Sequence, residues 1–305
     1  MVLNFRSDIK KLLDQLEELQ PVPATFCPDL KTDSLGPVKA VIFDIYGTLL
    51  VSASGDIDEI SLNTENMRKA LKAGGFDISN CNAEVCSFLL GLFPVKIKEQ
   101  HEKLRRQEHP FPDIDIFKVW NEMFGEAENK KLLKRTGNES LAETILVFEL
   151  LSNPVYPMPG MKEILLWIKE KGMPMGIVSN AQFYTPIIMN YFLTGEFSPK
   201  QEIEFFEPEL SVFSYKELRA KPDTALFEKF IPVLESKYNI RASEAIFVGN
   251  DMLKDIYTAN KTGLKTVLFT GDERSLRLRE NDERVRRLSP DYVINHLSQL
   301  TSILT

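Results

Sequence analysis

The sequence predicts an α/β fold, a doubly wound parallel sheet with an all-helical insertion, on three observations. Short apolar, β-branched runs alternate with helix-length amphipathic stretches over 38–50 and 157–296, the pattern of a parallel sheet covered by helices. Between those regions, about 57–150 carries helical spacing and no strand signal. Three of the strand runs end on polar residues as the next loop begins: Asp44, Ser179-Asn180 and Asn250-Asp251. The carboxyl edge of an open α/β sheet is where such proteins place their chemistry.

Residues 1–36 read as an N-terminal helical arm. Leucines at 12, 13, 16 and 19 with charges between them give the 3.6-residue spacing of an amphipathic helix over Phe5 to Gln20. A Pro-containing connector runs from Pro21 to Pro37. That helix packs on the body or on a second copy, so a homo-oligomer stays open. The core takes 37–55 and 157–305. Val38 to Phe43 is a buried strand that stops at Asp44 and the Gly47-Thr48 turn. Val51 to Asp56 is small and polar, a hinge into the helical insertion at 56–156.

Within that insertion, helices are expected at Thr64 to Ala73, Ala83 to Leu92, Lys96 to Glu108, Ile116 to Phe124 and Ser140 to Leu151. Pro157-Met158-Pro159-Gly160 marks the return, followed by a helix from Met161 to Lys171 and a strand at Met175 to Val178. A helix near 184–193 leads to a strand around Phe205 or at Leu210 to Phe213. Lys221-Pro222-Asp223 opens a helix, with Pro and Asp in its first turn, that runs to about Tyr238. Ala245 to Val248 and Lys265 to Phe269 are strands around a helix at 252–262; Tyr292 to Ile294 is an edge strand before a last helix from about Leu297.

Of the 305 residues, 43% are hydrophobic and 27% charged, the balance of a soluble globular protein. A net charge of −7 disfavours nucleic acid and anionic membranes as partners, and no apolar run approaches the ~18 residues that span a bilayer. Three cysteines, Cys27, Cys81 and Cys86, argue for a reducing compartment over a disulfide framework. The cytoplasm is the expected location. The arginines at 274, 277, 279, 284, 286 and 287 alternate with acids and read as a solvated or subunit-facing helix. His101, His109 and His296 are too scattered for a triad or a zinc site, and Phe88, Phe93, Trp120 and Phe124 read as core of the insertion.

Burying Asp44 at a strand end costs several kcal/mol unless it is paired or bound to a metal. Capping of its own turn is the structural alternative. Set beside Ser179, Lys221 and Asp251 at neighbouring strand ends, capping explains less: two acids, a hydroxyl and a lysine share one sheet edge.

Four motifs occur in order: Phe43-Asp44-Ile45-Tyr46-Gly47-Thr48, Ile177-Val178-Ser179-Asn180, Lys221-Pro222-Asp223 and Val248-Gly249-Asn250-Asp251-Met252-Leu253-Lys254-Asp255. Over about two thirds of the chain the sequence resembles the haloacid dehalogenase-like hydrolase superfamily. The resemblance implies a Rossmann-like core, with the insertion at the place of an α-helical cap. It implies catalytic roles for Asp44 as covalent nucleophile, Ser179, Lys221 and Asp255, and substrate binding by Thr48, Ser179 and Asn180. It also implies Mg²⁺ held by Asp44, the backbone carbonyl of Tyr46 and an acid of the fourth motif. Asp251 is favoured there because an anion binds Mg²⁺ better than an amide; Asn250 is the alternative alignment. Asp255 then orients Lys221 or a water. A cation is needed because each like-charge pair at ~4 Å costs about 4 kcal/mol at an effective ε near 20.

The chain departs from the phosphatase pattern at Tyr46, where a second Asp usually protonates the leaving alcohol. A phenol with an ordinary pKa of about 10 is a poor donor at neutral pH. The substrate then has a good leaving group, or an acid comes from the hinge or cap (Asp56, Asp58 and Glu59 are near in sequence), or the enzyme is a 2-haloacid dehalogenase, since halide needs no proton. Asp251 and Asp255 favour phosphate, and the Arg68 segment does not look like the dehalogenase arginine. A phosphatase acting on a small phosphorylated metabolite is therefore expected, with a haloacid hydrolase or a non-catalytic binding relative as alternatives.

Overall fold

The computed structural model describes residues 5, 9–24, 36–53, 63–77, 83–107, 109–135 and 137–304. Cys27, Cys81 and the hinge acids Asp56, Asp58 and Glu59 lie outside the described residues. In the N-terminal arm the helix is α1 (Ile9–Asp14), shorter than the leucine spacing predicts. Ile9 and Leu13 are its buried residues, Leu12, Leu16 and Leu19 pack partly buried against the same core, and the described residues 15–24 that follow are not helical.

Strand β1 (Ala40–Phe43) is buried at every residue. The chain then turns tightly: Gly47, at φ +80°, donates to Leu50 O at 2.7 Å, and Leu50 N returns to Ile45 O at 2.9 Å. Only glycine takes that backbone without strain. Strand β2 (Leu50–Ser52) follows, where the sequence suggested a hinge, and pairs antiparallel with β3 (Val155–Pro157). Between them the described residues form four helices, α2 (Thr64–Ala73), α3 (Ala83–Arg105), α4 (Ile116–Asn129) and α5 (Leu141–Ser152). α3 fuses two expected helices and runs through Pro94. Packing of Val85, Cys86, Leu89 and Leu104 outweighs the one hydrogen bond that proline removes.

The return segment builds α6 (Met161–Glu170), β4 (Met175–Ser179), α7 (Tyr184–Thr194), β5 (Ser211–Phe213), a one-turn α8 (Ser214–Glu217) and α9 (Ala225–Tyr238). It continues with β6 (Ala245–Gly249), a π-helix (Met252–Tyr257), α10 (Thr258–Lys261), β7 (Lys265–Phe269), β8 (Tyr292–Ile294) and a short α11 (Leu300–Ile303). Six strands form one parallel sheet in the order β5-β4-β1-β6-β7-β8, and helices flank it. This is the fold class expected from the alternation. Strands β4 and β5 are added on one side of β1 and β6, β7 and β8 on the other, so the order of winding switches at β1 and the crevice for ligands opens at its carboxyl end.

The charge-alternating segment 271–289 is a turn-rich loop and not a helix. Its path is fixed by distant backbone: Arg277 N donates to Asn250 O at 3.0 Å, and Met252 N to Arg277 O at 2.9 Å. One apolar cluster runs from the sheet (Val41, Phe43, Ile177) into the helical block (Met67, Trp120, Phe124). Trp120 and Phe124 are fully buried, as core of that block.

Candidate active site

β1 pairs with β4 on one side and β6 on the other, with Phe43 level with Ile177 and with Val248. Asp44 therefore leaves the sheet between the ends of both neighbours. It extends the pairing by one bond, Asp44 N to Val248 O at 2.9 Å, and its side chain is nearly buried, at 10% exposure.

Lys221 joins the acids. Its Nζ donates to Asp44 Oδ1 at 2.7 Å and to Asp255 Oδ1 at 2.6 Å, and its side chain is 3% exposed. Burial pulls this ammonium down, but Asp255 and Asp44 outweigh burial and hold it above its ordinary value. Asn180 positions the lysine through its backbone, accepting from Lys221 N at 2.8 Å.

The other oxygen of Asp255 accepts from Asn250 N at 3.0 Å and Asp251 N at 2.9 Å. A Cβ at Gly249 would stand 2.5 Å from that oxygen, so the glycine is what lets the carboxylate fold back on its own loop. Burial pushes Asp255 up, to about 7, with Asp44 and Asp251 adding to the shift and Lys221 opposing it.

The remaining predicted residues divide. Ser179 is buried with its Oγ lacking a hydrogen-bond partner, which is unusual for a buried hydroxyl. Thr48 Oγ1 donates to Asn250 Oδ1 at 3.3 Å, and Asn250 Nδ2 to Ser275 O at 2.5 Å. Asp251 Oδ1 caps the π-helix by accepting from Leu253 N (2.8 Å) and Lys254 N (3.0 Å), while Oδ2 takes Arg279 Nη2 at 2.7 Å. Tyr46 points its hydroxyl at Thr185 Oγ1, 2.8 Å away, and burial pushes the phenol well up.

Asp44, Tyr46, Asn180, Lys221, Asn250, Asp251 and Asp255 line a cavity of about 260 Å³ between the sheet edge and the helical block, whereas Ser179 and Thr48, both buried, are not among the residues that line it. The block and the 109–115 segment contribute His101, Asp113, Glu149 and Asn153, and the late loop contributes Ser275, Arg277 and Arg279. Sequence reasoning missed Asp113, Glu149 and Arg279, and set His101 aside. Burial pushes Glu149 up to about 7 against hydrogen bonds from Tyr184 and Asn153. It pushes Asp113 up to about 6 against bonds from Ser214 and Ile114 N. In both cases burial favours the neutral carboxyl over the carboxylate.

For a metal, no three His, Cys, Asp or Glu side chains among the described residues form a cluster able to hold an ion by themselves. The donors that line the cavity beside Asp44 are oxygens, from Asn250, Asp251 and Asp255. That chemistry fits a hard cation that takes one or two carboxylates and completes its shell with water and substrate oxygens.

The family model for haloacid dehalogenase-like hydrolases matches residues 38–263. The chain belongs to that family. Among curated proteins, this haloacid dehalogenase-like hydrolase is similar to the glyceraldehyde 3-phosphate phosphatase of Pyrococcus furiosus, at 28% identity over 48% of this chain and 54% of that protein. It is also similar to the ribulose-1,5-bisphosphate 5-phosphatase of Halopiger xanaduensis, at 28% identity over 48% of this chain and 56% of that one. The match thus spans about half the length of each relative. A 2-haloacid dehalogenase from Pseudomonas syringae shares the fold, with a TM-score of 0.55 and 20% identity over 88% of this chain and 98% of that structure. No helix among the described residues is long and apolar enough to cross a membrane.

Proposed function

We propose that this hydrolase is a phosphatase for a small phosphorylated metabolite, with Asp44 as its nucleophile and the helical block as its cap. The observation that carries the reading is the Lys221 ammonium bonded to both Asp44 and Asp255 at the carboxyl end of β1. A buried carboxylate fixed by a lysine, with an unpartnered buried hydroxyl at Ser179 on the end of the neighbouring strand β4, suits attack on an anionic group. The two curated relatives named above are both phosphatases. A cavity of about 260 Å³ is at the small end of ligand pockets, roughly 300–1,000 Å³, and suits a short substrate.

In the first step a carboxylate oxygen of Asp44 bonds to phosphorus as the bond to the alcohol oxygen breaks. Lys221 offsets the charge that builds on the phosphoryl oxygens, and Ser179, whose buried Oγ has no hydrogen-bond partner, would donate to one of them. Glu149, the raised carboxyl that interacts with Tyr46, supplies the proton that Tyr46 cannot. Water then cleaves the aspartyl phosphate, restoring Asp44 and releasing phosphate. Asp44, the Tyr46 carbonyl and Asp251, or Asn250 in its place, would hold Mg²⁺, whose charge would lessen the repulsion between Asp44 and a phosphate dianion.

The test is a panel of phosphorylated metabolites and 2-haloacids, with and without Mg²⁺ and chelator. Turnover of phosphate esters that chelator abolishes is expected, with Asp44→Asn lowering it by at least about 10³-fold. Chelator-insensitive turnover or an active Asp44→Asn overturns the reading. The haloacid alternative draws on one specific observation, that Tyr46 and Asn250 put neutral side chains beside Asp44; halide release from the same panel would establish it.

A further inference from the structure

Of the four lysines and arginines that line the cavity, Lys221 and Arg279 are ion-paired to carboxylates of the site, and they are held differently. Lys221 is buried and bridges two carboxylates, so nothing can displace it without stranding both acids. Arg279 comes from the loop between β7 and β8, outside the matched span 38–263. Its guanidinium binds Asp251 through Nη2 at 2.7 Å and Nε at 3.1 Å to Oδ2, and its side chain stays 32% exposed.

The loop is built to deliver that guanidinium. Arg277 pairs its backbone with Asn250 and Met252, which lays the loop along the very turn that presents Asp251. Two residues on, Arg279 takes φ +54°, the left-handed region that a non-glycine residue rarely adopts and that costs about 1 kcal/mol or more. That backbone sends the side chain back onto Asp251. With Oδ1 on the π-helix amides and Oδ2 on Arg279, the carboxylate has a monovalent counter-ion in place. A guanidinium does not lose its proton in proteins, so neutral pH gives no release; only a competing cation does.

We propose that Arg279 is the resident counter-ion of Asp251 and that a divalent cation must displace it, so that Arg279 sets the metal affinity of the site. This deepens the phosphatase reading and rests on it for the identity of the cation. The side chain is exposed enough to swing to solvent while Arg277 keeps the loop anchored. Removing the guanidinium takes away both the competition and a positive charge close to the incoming ion, so affinity rises. Replacing it by lysine keeps the charge and most of the competition.

The test is isothermal titration of the full chain with Mg²⁺ and with Mn²⁺, comparing wild type, Arg279→Gln, Arg279→Lys, Arg277→Gln, Asp251→Asn and the double variant Arg279→Gln/Asp251→Asn. Arg279→Gln is expected to bind either ion about tenfold tighter, the equivalent of losing one charge-assisted hydrogen bond. Arg279→Lys is expected to stay within about threefold of wild type, and the double variant Arg279→Gln/Asp251→Asn to lose the gain. An Arg279→Gln affinity equal to or weaker than wild type overturns the proposal. So does an equal gain from Arg277→Gln, which would make the effect one of net charge, and so does retention of the gain without Asp251. A parallel phosphate-ester assay keeps the two claims separate: tighter binding in Arg279→Gln with no turnover by any form sinks the phosphatase reading and leaves the competition standing.

Discussion

Asp44, Lys221 and Asp255 interlock because three buried groups offset one another, and the residue with the widest consequence beside them is Glu149. On the phosphatase reading Tyr46 stands where a proton donor is wanted, and burial pushes its phenol up, away from use. Glu149 lines the same cavity, hydrogen-bonds Tyr184 and sits with its carboxyl pushed up to about 7. In the donor role it must be protonated, a state that predominates below about 7 and is lost as pH rises through that value. Leaving-group dependence is the sharp readout. Glu149→Gln should lower kcat on an alkyl phosphate by about 10²-fold, as loss of a general acid does, and leave p-nitrophenyl phosphate within a few-fold, since nitrophenolate departs without a proton. The variant should also lose the fall of alkyl-phosphate turnover above pH 7. Equal losses on both substrates would assign Glu149 to structure; the same pattern in Asp113→Asn, whose carboxyl is pushed up to about 6, would move the role there.

The late loop and the N-terminal arm act as a pair of elements. Asp272, with a fully buried side chain, accepts from Val22 N at 2.8 Å and from Arg274 Nε at 3.1 Å, while Glu273 N reaches Val22 O and Arg274 Nη2 reaches Gln20 O. The arm thus straps down the base of the loop that carries Ser275, Arg277 and Arg279. Asp272→Ala leaves donors unmatched, at a cost of about 1–3 kcal/mol per group, and should lower the urea midpoint together with turnover; an unchanged midpoint would remove the strap. None of this was legible in the sequence. The Val22–Asp272 contact joins residues 250 apart, and the alternation of arginine with acid imitates a helix face. By contrast, the strands ending on Asp44, Ser179 and Asn250 were readable, because a buried apolar run closing on a polar side chain is a local signal. β2 and β3 were missed for the first reason: each is three residues long, and their pairing is set across the whole helical block.

At the scale of the molecule, the helical block and the sheet share one apolar core and are tied at the mouth of the cavity. Phe117 of α4 stacks on Phe183 with centroids 4.2 Å apart, Gln182 bonds both Ile114 O and Ile116 N, and Ala220 N reaches Phe111 O at 2.8 Å. Such continuity couples the stability of the two parts. The two tryptophans can read it out, since Trp120 is in α4 and Trp167 in α6. Phe148 is buried against Trp120, with centroids 5.2 Å apart, and Phe148→Ala should cost about 3–5 kcal/mol. In single-tryptophan proteins made with Trp120→Phe or Trp167→Phe, that substitution should move the midpoint reported by Trp167 as far as the one reported by Trp120, although Trp167 lies on the far side of the chain's insertion point. If only the Trp120 signal shifts, the block melts by itself, and access to Asp44 is then governed by the stability of the block in place of local motion at 109–116.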